Sequence, residues 1–394
     1  MVRPRGEKGR SDLMGEIPRA QENEGNGERE CLAPTTVTFD GVLGNGMALR
    51  VLEAALRAGE VSHAYLFYGP EGVGKRTVAR RFGAALVGGG DSGAEDRARR
   101  GLHPDLSEIE LEGRFTTIGQ VREVLRLAAS RPFEGVRRAF ILRADTLNVQ
   151  AANALLKTLE EPGGETVFLL VSRSREGVLP TVVSRARSVR FDPIPAEEVA
   201  RFLIERGHGE DEARLAGALG RGSVGLALRY ARERELKELR EAIFEAGFLF
   251  AGSFEDRHRV AERIVARAEE VGAAREKAYL AGFEEPDRRA REAAKRLGRA
   301  ARDEAAAEAL ELLTLLYRDA AVAAAGAPEL VANLDRAGEI RARVGEHPGA
   351  DWAEAARVVA DARDGLAYNI APEAILEVAL SRSRRGILGS SPVS

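Results

Sequence analysis

Gly69-Pro70-Glu71-Gly72-Val73-Gly74-Lys75 constrains this chain more than any other string in it. It is preceded by a short apolar run, Ala64–Tyr68, which reads as a buried parallel strand. It is followed by Arg76–Val87, where Val78, Phe82 and Leu86 recur every four positions, as on one face of a helix. Strand, glycine-rich turn, lysine and helix, in that order, form the setting in which such a loop closes around phosphate. The glycines let backbone N–H groups turn inward, the helix start adds partial positive charge, and the lysine reaches the outer phosphates. A tight glycine turn with an incidental lysine would not need a strand and a helix in register on either side.

The remaining segments extend the same plan. Met47–Ala58 predicts an amphipathic helix with Leu49, Leu52 and Leu56 on one face and Gly59 as its stop. Gly88–Gly90 ends the helix after the P-loop, and a charged loop is expected from there to His103. Ser107–Leu111 alternates like a strand. Thr117 and Gln120 form a capping box for a helix Ile118–Ala129, whose buried face would be Val121, Val124, Leu125 and Ala128. Ala139–Leu142 and Thr166–Val171 are further buried strands, and Leu147–Glu161 is a helix closed by Pro162. Strands alternating with helices predict an α/β fold, a parallel sheet covered on both faces.

After Pro195 the strand signals cease. Pro195–Arg234 predicts two or three short helices broken at Gly207, Gly209, Gly220 and Gly222. Beyond it the chain reads as helical to about Arg385, and Gly386–Ser394 as a loose tail. The expected organisation is an α/β P-loop domain over 37–194, a small helical domain over 195–235, a larger helical domain over 236–385 and a flexible tail over 386–394. Residues 1–36 hold four large aliphatics (Val2, Leu13, Ile17, Leu32) and no aromatic, too little to offset ordering entropy, so disorder is expected there. Arg3 and Arg5 are followed by no apolar segment, which argues against a targeting peptide, and Met14 and Met47 are alternative starts.

Composition then excludes several function classes. Lys+Arg number 59 and Asp+Glu 62, a net charge of −3, so bulk charge cannot carry nucleic-acid affinity. A single cysteine, Cys31, rules out an internal disulfide and a multi-thiolate zinc site. The five histidines lie far apart, so no metal site is expected. No run of ~18 apolar residues is present, and a cytoplasmic location follows as the expectation.

The metal chemistry that usually accompanies a P-loop is missing at two independent places. The residue after Lys75 should be Ser or Thr, whose hydroxyl binds Mg²⁺, and it is Arg76. Thr77 does not substitute, because one residue along a helix turns a side chain by about 100°; at best it meets an inner phosphate. The strand Ala139–Leu142 continues into Arg143-Ala144-Asp145. With Asp145 aligned as the last residue of an Asp-Glu-Ala-Asp-like string, the acidic slots fall on Leu142 and Arg143. We expect no intrinsic ATP hydrolysis.

Four strings then occur in order: His63-Ala64-Tyr65-Leu66-Phe67, His103-Pro104-Asp105, Ile118-Gly119-Gln120-Val121-Arg122, and Ala152-Asn153-Ala154-Leu155-Leu156-Lys157-Thr158-Leu159-Glu160-Glu161-Pro162. Together they resemble the clamp-loader branch of the AAA+ ATPases. Tyr317-Arg318-Asp319, Asn333-Leu334-Asp335 and Asn369 match the spacing of that branch's helical collar, so the resemblance runs from roughly Val37 to Arg385. It implies an AAA+ P-loop domain, a helical lid and an all-α collar that joins a ring with four other subunits. With the metal ligands degenerate, it implies the non-catalytic, stator-type subunit of the bacterial DNA polymerase III clamp loader. The implied partners are ATPase subunits of the gamma/tau kind, the delta subunit, the sliding clamp, and primer-template DNA through the assembled complex. No cofactor would be required, and ATP held by Gly69, Gly72, Gly74, Lys75 and Thr77 would be weak or vestigial.

Leu179-Pro180-Thr181-Val182-Val183-Ser184-Arg185-Ala186 resembles the family's Ser-Arg-Cys motif, with Ala186 in place of Cys. The resemblance implies that Arg185 is an arginine finger, projecting onto a neighbour's ATP. Other departures are informative. The four-cysteine zinc module of the ATPase subunits, and of many stator-type relatives, has no cysteines to match it in Gly88–Leu102, and Gly222-Ser223-Val224-Gly225 has glycine at the second-sensor arginine slot, so a third ATP-handling group is missing. Ser172 lies where a first sensor would be. Two other classes remain as alternatives. A competent gamma-type ATPase is opposed by Arg76, Leu142 and Arg143; a DNA-binding module acting alone is opposed by the net charge and by the lack of an aromatic-interleaved basic stripe.

Overall fold

Side-chain alternation along five short strands sets the layering of the N-terminal half. The strands are β1 (Ala64–Tyr68), β2 (Leu106–Glu108), β3 (Arg138–Arg143), β4 (Thr166–Ser172) and β5 (Arg187–Arg190), all parallel, in the order β2-β3-β4-β1-β5. In this computed structural model, residues 39–109, 116–161, 163, 165–248, 254–363, 365 and 370–388 are described. Leu66 pairs with Leu170 and Ser188, and Phe140 with Ser107 and Phe168. Successive residues of a strand point to opposite faces. Tyr65, Phe67, Ile141 and Leu169 therefore pack beneath α1 (Gly46–Ala58), α2 (Lys75–Gly88) and α3 (Ser92–Arg99). Leu66, Phe140, Leu142 and Phe168 pack against α4 (Ile118–Ala128), α5 (Val149–Glu160) and α6 (Pro180–Val183). With both faces covered, the inner strands β1, β3 and β4 read as nearly continuous apolar runs.

The capping box at Thr117 and Gln120 is present. Val121, Val124 and Ala128 are buried as expected, while Leu125 is half-buried. Three expectations change. The segment before His103 is not wholly loop: Asp91 caps α3 by accepting the Gly93 N–H at 2.8 Å, and Ala94 and Ala98 are its apolar face. Two alanines among charged residues leave little periodicity to detect. β5 is an edge strand in which only Val189 is buried, so it carries no apolar run. Helix α5 starts at Val149 because Asn148 caps it, accepting the Ala151 N–H at 2.8 Å.

Beyond the sheet the described residues are helical. The breaks at Gly207/Gly209 and Gly220/Gly222 separate α7 (Ala196–Ile204), α8 (Glu210–Leu219) and α9 (Val224–Arg232). Then follow α10 (Arg234–Gly247), α11 (Phe254–Leu280), α12 (Arg288–Ala324), α13 (Ala337–Glu346), α14 (Trp352–Arg363) and α15 (Pro372–Leu388). The expected tail does not start at Gly386, since α15 runs to Leu388 with Ile387 buried. One apolar core continues from Ile194 to Ile387. Helices α11 and α12 approach closely at a glycine pair, where a Cβ on Gly272 would lie 2.7 Å from the Gly298 carbonyl oxygen.

A buried polar chain ties these helices together. Asp319, with no exposure, accepts the N–H of Ala332 and both the backbone and side-chain N–H of Asn333, at 2.7–3.0 Å. Asn333 in turn accepts from Arg240, which also binds Asp335 at 2.6 Å. Thus two collar-like strings, far apart in sequence, meet in one network. Residues 1–36, Glu110, Leu111, Pro162, Asn369 and 389–394 lie outside the described residues, and so do the expectations that fall on them. Among the described residues no helix is long and apolar enough to cross a membrane.

Candidate functional site

Parallel strands all run the same way, so the loops leaving β1, β3 and β4 converge on one edge of the sheet. P-loop residues 71–75, Arg143 with Asp145, and Ser172 therefore meet around one cleft of about 740 Å³, which Thr77 also lines. Val224, Gly225 and Leu228 of α9 and Leu297 and Glu304 of α12 complete the wall. Helix α9 seats on the P-loop through the Gly225 N–H, which donates to the Gly72 carbonyl at 3.3 Å. A Cβ at Gly72 would lie 1.8 Å from Ser223 Oγ, so this approach needs glycine. Gly225 occupies the second-sensor slot with no side chain to offer.

Lys75 is buried, and its ammonium donates to the Gly69 carbonyl at 2.6 Å and to that of Pro70. Burial pushes the ammonium down to about 8 from an ordinary 10.5, against the opposing pull of Glu71 and Asp145. Below about pH 8 the charge costs stability in the folded state; as pH rises from about 8 to 10.5 that cost is relieved, because only the unfolded chain still holds the proton. Relative to Lys75→Met, the wild-type chain should therefore gain roughly 3 kcal/mol over that window. Chemical denaturation of both proteins at pH 7.5 and pH 10.5 measures this, and parallel pH profiles would contradict it.

Paired cations stand at the hydroxyl-ligand position, Arg76, and at the position expected for a water-activating carboxylate, Arg143, with Leu142 at the other ligand slot. Arg76 forms an ion pair with Glu108, which Arg80 also binds, and both Arg76 and Glu108 line the cleft. Burial would raise the Glu108 carboxyl, but the two arginines outweigh it and hold it below the usual range. Thr77 is exposed at the start of α2. On β3, Leu142 packs into the opposite face of the sheet. Arg143 extends Nε and a terminal nitrogen to Asp145, each 3.3 Å away, and Asp145 also accepts the Arg173 N–H at 3.2 Å. Ser172 Oγ donates to the Ser174 carbonyl at 2.5 Å, closing a turn. What remains is a backbone cradle and one lysine.

Arg185 lies between α6 and β5 and does not line this cleft. The sequence suggests an outward-facing loop; the side chain is one-third exposed and laid against its own domain. It reaches Glu160 Oε1 at 2.5 Å, the Thr181 carbonyl at 2.9 Å and Ser184 Oγ at 3.3 Å. Sequence reasoning missed Glu160 as its partner. The available signal was the Glu160-Glu161 pair at the C-terminal, partially negative end of a helix, where a cation is wanted.

It also missed what the His-Pro-Asp string does. Asp105 is fully buried and accepts the N–H groups of Phe133, Glu134 and Gly135 at 2.8–2.9 Å, and two from Arg138 at 2.8 and 3.0 Å. This clasp fixes a loop that carries Phe133 at 79% exposure.

The family model described as DNA polymerase III, delta subunit, matches residues 44–195. DNA polymerase III subunit delta' of Pseudomonas aeruginosa is 39% identical over 135 residues, 32% of this chain and 41% of that protein. The subunit delta' of Bacillus subtilis is 28% identical over 205 residues, 50% of this chain and 62% of that protein. DNA polymerase III subunit tau of Escherichia coli is 30% identical over 200 residues, 48% of this chain and 31% of that protein. The matched region thus spans less than two thirds of each of these relatives.

Proposed function

Within the bacterial DNA polymerase III clamp-loader family, to which this chain belongs, we propose that it is a stator of the delta-prime kind. It would not hydrolyse ATP itself; it would help load the sliding clamp onto primed DNA and supply Arg185 to the ATP of a neighbouring ATPase subunit. One observation carries the proposal. Arg76 and Arg143 stand where oxygen ligands and a water-activating carboxylate would be needed, and each is neutralised by its own partner, Glu108 or Asp145. Mg²⁺ demands several oxygen ligands in near-octahedral geometry, and phosphoryl transfer depends on that ion bridging the outer phosphates. A guanidinium has no acceptor atom, so neither side chain can ligate the ion.

Nucleotide held by Gly69, Gly72, Gly74, Lys75 and Thr77 is then weak. Calorimetric titration of the isolated chain with ATP should give no submicromolar, Mg²⁺-dependent binding, and the chain should show no turnover with primed DNA. A second reading, a hydrolysing subunit of the gamma/tau kind, draws on the likeness to tau; turnover by the purified chain would favour it. The proposed partners are gamma/tau-type ATPase subunits, a delta subunit and the clamp, with helices α10–α15 as the assembly region. Co-purification with those candidate subunits tests this directly.

A further inference from the structure

We infer that Glu160 is a latch for Arg185: in the idle subunit its carboxylate holds the guanidinium down on α6, and a neighbour's triphosphate displaces it. This rests on the finger role proposed above and names its regulation. Both terminal nitrogens of Arg185 are engaged within the chain, one by Glu160 at 2.5 Å and the other by the Thr181 carbonyl at 2.9 Å and Ser184 Oγ at 3.3 Å. A guanidinium used up in this way has little left to offer a phosphate until it lets go.

The position of the anion favours a latch over a fixed brace. Glu160 is the last residue of α5 and Glu161 its C-cap, so two carboxylates stand at the negative end of the helix dipole. Lys157 is the helix's own cation in that last turn, and Arg185 adds the charge that pairs directly with Glu160. The pair is also weak enough to open. Glu160 is half-exposed and Arg185 one-third exposed, and solvent-exposed ion pairs contribute little to stability. A triphosphate presents more charge to the same N–H fork, and charge-assisted arginine–phosphate bonds are among the strong ones. The finger thus stays folded down until a correctly docked nucleotide outcompetes Glu160, since a ligand shifts such an equilibrium only by its differential affinity for the released state.

The test uses the assembled clamp-loader complex. Glu160→Gln keeps the shape and removes the charge; ATP hydrolysis without DNA or clamp should rise roughly two- to fivefold, the range that corresponds to losing an exposed ion pair. The rate with DNA and clamp should stay at the wild-type level. The double variant Glu160→Gln/Arg185→Ala should match Arg185→Ala alone, because the latch has no effect without the finger. Lys157→Gln, one turn back on α5, serves as the neighbouring-charge control and should leave both rates unchanged. An unchanged or reduced DNA-free rate in Glu160→Gln, with Arg185→Ala still impaired, overturns the latch and leaves the finger standing. Wild-type turnover in Arg185→Ala itself removes the finger and the latch together.

Discussion

Replacing Arg185 with alanine should lower ATP hydrolysis at the site beside this subunit by about 10³-fold or more, the range set by arginine fingers acting on phosphoryl transfer. The deficit should be confined to that one site, so the whole complex loses the share of turnover that site supplies. Assembly should survive, because the guanidinium's exposed pair with Glu160 contributes only ~0–1 kcal/mol. Arg185→Lys should not restore the rate, since a point ammonium cannot reproduce the planar fork on phosphate oxygens. Arg187→Ala, on the exposed side of β5, is the control and should retain full activity. The measurement is DNA- and clamp-stimulated ATPase in a complex shown to be fully assembled. Wild-type rates for Arg185→Ala would leave the chain a scaffold without a chemical role.

The second large effect belongs to Asp105. Asp105→Ala should destabilise the α/β half by about 3–5 kcal/mol, because it strands Arg138, itself nearly buried, together with three backbone N–H groups. The wild-type carboxyl also predicts an acid limb. Burial alone would raise it, but the loop N–H groups and Arg138 outweigh burial and bring it down to about 2 from an ordinary 3.8. With the folded value below the unfolded one, the contribution of about 2 kcal/mol is complete above the unfolded value and is lost as pH falls through about 2. Thermal unfolding between pH 7 and pH 2 should show this limb in the wild type and a flatter one in Asp105→Asn. Equal acid sensitivity in the two proteins would show that the clasp does not govern it.

The sheet's strands and the helices facing them were legible in the sequence for a physical reason. A strand buried on both faces must be apolar along its length, as Val167, Phe168, Leu169 and Leu170 are, and a capped amphipathic helix repeats its pattern locally, as Ile118–Ala128 does. The P-loop was legible because only a glycine-rich turn can bring its N–H groups inward, and the absent metal ligands because a hydroxyl or carboxylate either stands at a position or does not. Helix α3 and strand β5 escaped because each buries too few apolar side chains, Ala94 and Ala98 in one and Val189 in the other, to impose a period on charged surroundings.

The sequence by itself determined the fold class and the place of the glycine-rich loop between a strand and a helix. Only the tertiary structure decided what each charge is paired with. Arg76 with Glu108, Arg143 with Asp145, Asp105 with Arg138, and Arg185 with Glu160 are choices made in space. Many acids and bases along this chain satisfy the same composition, and most of these partners lie tens of residues apart. Coulomb attraction and hydrogen-bond geometry act over a few ångströms, so the pairings exist only once parallel strands and packed helices have brought those residues together.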